Sequence, residues 1–263
     1  MGVIALTPID LGITAILVLL LAAMSMILRL GIEWQLIIAA LRTTIQLLLI
    51  GMVLKTVFGY AELHWIGLIT LAMLLIAGRE VMVRQQHRLA GWWGFGVGTL
   101  SMFVSTFAIT VLALLVVIGT EPWYQPQYAI PLLGMMLGNT MNGIALGLDR
   151  LTHSAREQRA TIEARLTLGQ TWRQAITDIR RNSMRTGMIP IINAMGAAGL
   201  VSLPGMMTGQ ILAGAPPVEA VKYQILIMFM ITAGTGFGTM AAVWLASQRL
   251  FDERHRLRIE RLV

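Results

Sequence analysis

Long apolar runs separated by short polar segments dominate the chain. Stretches such as "ITAILVLLLAAMSMIL" and "FVSTFAITVLALLVVIG" contain no Asp, Glu, Lys or Arg, and they are apolar on every side instead of alternating as a half-buried strand does. A hydrocarbon layer of roughly 30 Å is crossed by about 20 helical residues, so these runs predict membrane-spanning helices. Seven spans are expected, at about 8–28, 34–54, 64–79, 93–118, 129–147, 188–212 and 222–246. The first opens on "TPID", where Thr7 can cap, Pro8 suits the first helical turn and Asp10 favours the positive helix end. No Lys or Arg precedes Arg29, so the basic start of a cleaved signal peptide is not expected.

One polar segment is too long and too ordered to be a simple connection. In "SAREQRATIEARLTLGQTWRQAITDIRRNSMRTG", within a loop of about 149–186, Ser154 and Glu157 stand at capping-box spacing, with Ile162 and Leu166 on one face behind them. Gly169 interrupts, and Thr171 with Gln174 starts a second helix carrying Trp172, Ile176 and Ile179 on one face. Two short amphipathic helices meeting at a glycine are expected. Their arginine-rich faces suit either anionic lipid or a cytosolic protein partner.

Composition sharpens the class. With 56% hydrophobic and 13% charged residues and a mean hydropathy of +0.73, the chain has far more apolar surface than a soluble core can hide. It reads as an all-α, multi-pass membrane protein, a single domain over 1–263. Seventeen of its 20 basic residues fall on one side if the seven spans alternate; this predicts an outside N-terminus and a cytoplasmic C-terminus. The net charge of +7 is then accounted for by topology and lipid headgroups, and no nucleic-acid partner is implied. The absence of cysteine excludes disulfides, thiolate metal sites and a Cys nucleophile.

Polar residues inside the spans are the candidates for function. Arg42 and Gln46 share a helix face in "ALRTTIQLLLIGMVL", facing either the bundle interior or, for Arg42, the nearby interface. In "PLLGMMLGNTMNGIALGLDR", Asn139 and Asn142 sit among Met135, Met136 and Met141, and Gly134, Gly138 and Gly143 permit close helix approach. Amides and thioethers can meet a partly dehydrated metal cation, and equally they can pack helices together. "GMIPIINAMGAAGLVSLPGMMTGQILAG" holds Asn193, Pro190, Pro204, Gly205 and Gln210, the pattern of a discontinuous helix beside a passage or of a re-entrant segment. Gly234, Gly236 and Gly238 predict a second flexible or closely packed region. No His/Asp/Glu cluster has metal-ligand spacing, and the four histidines are scattered, so an intramembrane enzyme is not supported.

The motifs "LRTTIQLLLIG", "PLLGMMLGNTMNGIALGLDR", "EARLTLG" and "VSLPGMMTGQILAGAPPVEAVKYQI" together resemble the Fet-type iron-export permease family, over nearly the whole chain. "EARLTLG" by itself is similar to the EAA-type signature with which ABC-transporter permeases engage their ATPases, with Arg165 where a small residue is usual. The resemblance implies a bacterial inner-membrane permease that exports iron or another metal, dimerises, and is driven by a separate cytosolic ATPase subunit. Glu163, Ala164, Gly169, Trp172 and Ile176 would then couple to that ATPase, and Arg42, Gln46, Met135, Asn139, Met141, Asn142, Asn193, Pro204, Gly205 and Gln210 are the candidate path. No P-loop GxxxxGK[ST] occurs, so the chain is not expected to be an enzyme; ATP and Mg would be bound by the partner. A stand-alone metal-ion carrier and a membrane scaffold are the alternatives.

Overall fold

The computed structural model describes residues 7–59 and 62–263. Among these residues the α-helices are α1 Pro8–Ile27, α2 Glu33–Gly59, α3 Leu63–Val83, α4 Trp92–Ile118, α5 Pro126–Glu157, α6 Arg159–Thr167, α7 Trp172–Ala175, α8 Thr177–Ala197, α9 Gly205–Leu212 and α10 Pro217–Arg249, followed by a short 3-10 turn at Ile259–Arg261. There is no strand among the described residues. α1 starts as expected: Thr7 N–H and hydroxyl both donate to the Asp10 carboxylate, at 2.8 and 2.7 Å. α4 accommodates two π-helical stretches, Phe103–Phe107 and Ala113–Ile118.

The centre is a tight assembly of α5, α8 and α10, flanked by α3 and α4. Small residues make it possible. A methyl added at Gly143 would lie 2.5 Å from Thr235 Cγ2 and 3.0 Å from the Gly187 carbonyl oxygen, so the α5 and α8 backbones meet where side chains are absent. A methyl added at Gly238 would be equally confined, 2.7 Å from Thr140 Cγ2 and 2.8 Å from Ser105 Oγ, and one at Gly234 would lie 2.5 Å from Met136 Cε, so these two α10 glycines serve close packing. Around this crossing Val81, Met102, Leu137, Ile144, Leu148, Leu151, Ala242, Val243 and Ala246 form one buried cluster.

Among the described residues six helices, α1 to α5 and α10, are long and apolar enough to cross a membrane. The sixth crossing expected from sequence is instead built from two pieces. α8 ends at Ala197; residues 198–204 form a tight turn with Gly199 at φ +82° and its N–H bonded to the Ser202 carbonyl; Pro204 then caps α9. Both pieces pack on α10. Pro190 lies inside α8 and removes one helical donor, so the segment is weakened at two places.

α5 differs from expectation at its far end. It runs unbroken through Glu157, with Ser154 and Ala155 buried, so Ser154 and Glu157 do not form a cap there, and the next helix begins at Arg159. Tertiary burial of Leu151, Ser154 and Ala155 outweighs the local capping preference of the serine.

Candidate coupling element and passage

At one end of the bundle the structure collects the charge-rich connections: residues 84–91, the α6–α7 region and the tail from 250 to 263. The Asp149 carboxylate accepts the Gln86 N–H at 2.8 Å, and Arg156 reaches His87 Nδ1 at 3.1 Å. Arg88 and Val263 exchange backbone hydrogen bonds of 3.0 and 2.8 Å.

α6, Gly169 and α7 form the expected helix–glycine–helix element. Gly169 takes φ +86°, a backbone state that costs other residues, and no atom would obstruct a side chain there. α7 opens with the expected capping box, Thr171 N–H donating to Gln174 Oε1 at 2.9 Å. Behind the tip, Ile162, Ala175, Ile176 and Ile179 are buried in the same cluster as α5 and α10. Arg165 Nη1 donates to the Ala175 carbonyl and pairs with Asp178, both at 3.1 Å, so this residue ties the two halves together. Trp172 is half-buried against Phe251, with ring centroids 5.6 Å apart. Glu163 is held by Arg159 at 2.7 Å, and Ala164 is exposed on the same helix. At the tip itself Leu168 is 83% exposed. The element thus has a root buried against α5 and α10 and an apolar exposed tip.

The candidate path residues separate into distinct places. Arg42 of α2 pairs with Glu80 of α3 at 2.5 Å; Arg84 lies 3.8 Å from the other Glu80 oxygen and donates to Asn142 Oδ1 at 2.6 Å. Arg42 is therefore linked to Asn142 through two residues that sequence reading left out, because the third span was expected to stop at Arg79. α3 continues to Val83 and carries Glu80 with it. The signal was present: Glu80 and Arg84 stand at the i, i+4 spacing of a helical ion pair.

Met135 and Gln210 do come together, in a cavity of about 330 Å³ also lined by Tyr128, Pro131, Met206 and Tyr223. On the other side of α9, Pro204 borders a second cavity of about 500 Å³ with Met195, Met207, Met228 and Gln224. Gln224 was not singled out from sequence; it and Gln210 each leave a buried side-chain oxygen without a hydrogen-bond partner. Gly205, the first residue of α9, lies in open space. Met141 packs on the buried cluster. Asn139 is exposed and donates to the Met135 carbonyl at 2.9 Å, while Asn193, Gln46 and Asn142 are also exposed on their helices. Among the described residues no group of three or more His, Cys, Asp or Glu could hold a metal ion.

Six long apolar helices among the described residues and a broken helix flanked by cavities define a polytopic all-α membrane protein. The chain belongs to the uncharacterised protein family UPF0014, whose model matches residues 8–251. It is 40% identical over 233 residues to the UPF0014 membrane protein slr1647 of Synechocystis, covering 87% of each chain. It is 32% identical over 240 residues to the probable iron export permease protein FetB of Escherichia coli, covering 89% of this chain and 88% of that one. Similarity also extends to the protein ALUMINUM SENSITIVE 3 of Arabidopsis thaliana, 32% over 242 residues, with 92% and 86% covered. No solved structure matches the chain.

Proposed function

We propose that this chain is the membrane subunit of an ABC-type exporter that moves iron or another metal cation out of the bacterial cytoplasm across the inner membrane. A separate ATPase subunit, binding ATP and Mg, supplies the energy; this chain supplies the passage and hydrolyses nothing. The observation that carries the reading is the α6–Gly169–α7 lever, exposed at Leu168 and rooted through Ile162 and Ile176 in the α5/α10 core. Similarity to FetB, a probable iron export permease protein, supports the cargo. The charge-rich end is then cytoplasmic, in keeping with the distribution of arginines.

Closure of the ATPase would press on the tip, and the α8–turn–α9 segment, weakened at Pro190 and 198–204, would yield first. The exposed amides Asn139, Asn142 and Asn193 are poor neighbours for lipid and suit a second copy of the chain across a shared passage. The test is co-expression with candidate ATPase subunits, followed by ATPase and metal-flux measurement in proteoliposomes. Wild-type protein is expected to capture an ATPase and raise its activity. Gly169→Val is expected to insert normally and to lose that stimulation; retention of full stimulation and flux by both Gly169→Val and Leu168→Asp would refute the lever.

One observation favours a stand-alone metal-ion carrier, namely the ionisable Glu80 inside α3. ATP-independent flux by the purified chain, abolished in Glu80→Gln, would select that reading.

A further inference from the structure

The tail beyond α10 is built into the lever. Leu262 pairs with Leu89 in an antiparallel bridge, and the Arg261 guanidinium donates to the Arg249 and Phe251 carbonyls at 2.8 and 3.1 Å. Phe251 packs on Trp172, and Arg249 lies 4.5 Å over the Trp93 ring. The tail thus clamps the α3–α4 connection, the end of α10 and the start of α7 together.

Between these anchors a turn is organised by a single carboxylate. Asp252 accepts the N–H groups of Arg254 and Arg256 at 3.0 and 2.8 Å and pairs with the Arg256 and Arg258 guanidiniums at 3.0 and 2.8 Å. His255, at the apex, takes φ +60°, a state a non-glycine residue adopts only when its surroundings impose it. The turn directs exposed Arg254 and His255 to one wall of a cleft of about 620 Å³. Glu163, Leu166, Thr167, Gly169 and Gln170 form the other wall, so the cleft lies between the tail and the lever tip.

We propose that the tail turn is the second half of the docking site: an acidic segment of the cytosolic partner protein enters the cleft, pairs with Arg254 and His255, and places an apolar socket over Leu168. The proposal rests on the ATPase-coupling reading and adds to it the tail and the sign of the partner's charge. Of the carboxylates near the cleft, Asp252 is held by Arg256 and Arg258 and Glu163 by Arg159, and exposed Glu253 borders a separate hollow on the other side of the turn, whereas Arg254 borders the cleft and makes no ion pair among the described residues. A flat lipid surface neutralises rows of arginine but does not fill a recess with an apolar floor of Leu166 and Leu257. A shaped protein segment does both.

The experiment measures affinity of the chain for its ATPase in nanodiscs of neutral phosphatidylcholine, comparing wild type, Arg254→Lys and Arg254→Glu. The expected result is binding weakened about tenfold or more by Arg254→Glu at low salt, near wild-type binding by Arg254→Lys, and a flatter salt dependence in the reversed variant. Equal binding by wild type and Arg254→Glu overturns the proposal while leaving the coupling reading intact. A loss seen only with anionic lipid in the disc assigns the turn to the membrane and also overturns it. Failure of wild-type protein to capture any ATPase overturns the coupling reading itself, and this proposal with it.

Discussion

The α1–α2 hairpin and the α5/α8/α10 core are opposite in construction, the hairpin the more apolar and the less buried of the two. None of the most apolar stretch of α2 is buried within the chain, and 11% of that of α1, against 56% for α5 and 50% for α10. The hairpin packs mainly on itself; it reaches the rest through Val57 against Ile66 and Ile130 near one end, and through Arg42–Glu80 near the other. The core is held by backbone approach at Gly143 and Gly187, where nothing larger fits. Leucine-rich helices need no specific neighbour in lipid, because lipid tails satisfy them as well as another leucine does. Glycine and threonine surfaces gain from a partner backbone and therefore specify one.

That difference can be broken with one substitution made in both places. Gly187→Ala sets a methyl 2.6 Å from Thr239 Cγ2 and against the Gly143 carbonyl, and should destabilise the core by about 3 kcal/mol, read as a drop in the detergent unfolding midpoint. Gly51→Ala in α2 meets no atom, so only helix propensity acts, with an expected gain of up to about 1 kcal/mol. If both positions lose stability alike, the hairpin is packed against something the single chain lacks, and the contrast collapses.

Removing the polar tie should free the hairpin and spare the core. Arg42 is half exposed, so Arg42→Ala is expected to cost about 1 kcal/mol or less of docking, with little change in the global midpoint. Spin-label distances between α2 and α3 should broaden; an unchanged distribution would mean that Val57 and its neighbours hold the hairpin alone.

The smallest effect belongs to the tail turn, which is organised by hydrogen bonds to one carboxylate instead of by backbone approach between helices. Asp252 is pushed down to about 2, first by the Arg256 N–H and then by the Arg258 and Arg256 guanidiniums. A carboxyl depressed in the folded state contributes stability above its ordinary value near 4, and that contribution fades as pH falls toward 2. Hydrogen exchange at Arg254 to Arg256 should therefore rise, at matched intrinsic rate, between about pH 4 and pH 2, while exchange in α5 stays slow. Loss of tail protection already at pH 6 would count against Asp252 as the organiser.

The helices were legible because their driving pattern is local: charge-free runs, Thr7–Pro8–Asp10, the Gly169 interruption and Thr171–Gln174 each act within a few residues. The helix–glycine–helix element was legible for the same reason, down to the inward Ile162 and Ile176, whereas the exposed Leu168 at its tip was not. The Ser154 cap was misplaced because burial of α5 decided the helix end. Glu80 was missed because span ends blur where arginines begin.

By itself, then, the sequence determined an all-helical membrane chain, its charge-rich connections and its family, since hydrophobicity, capping and motif identity reside in neighbouring residues. Only the tertiary structure decided that Arg42 meets Glu80 across 38 positions, that Gly143 and Gly187 touch, and that the tail closes on the lever. Those pairings depend on which helix faces close on which, and short-range pattern carries no record of that choice.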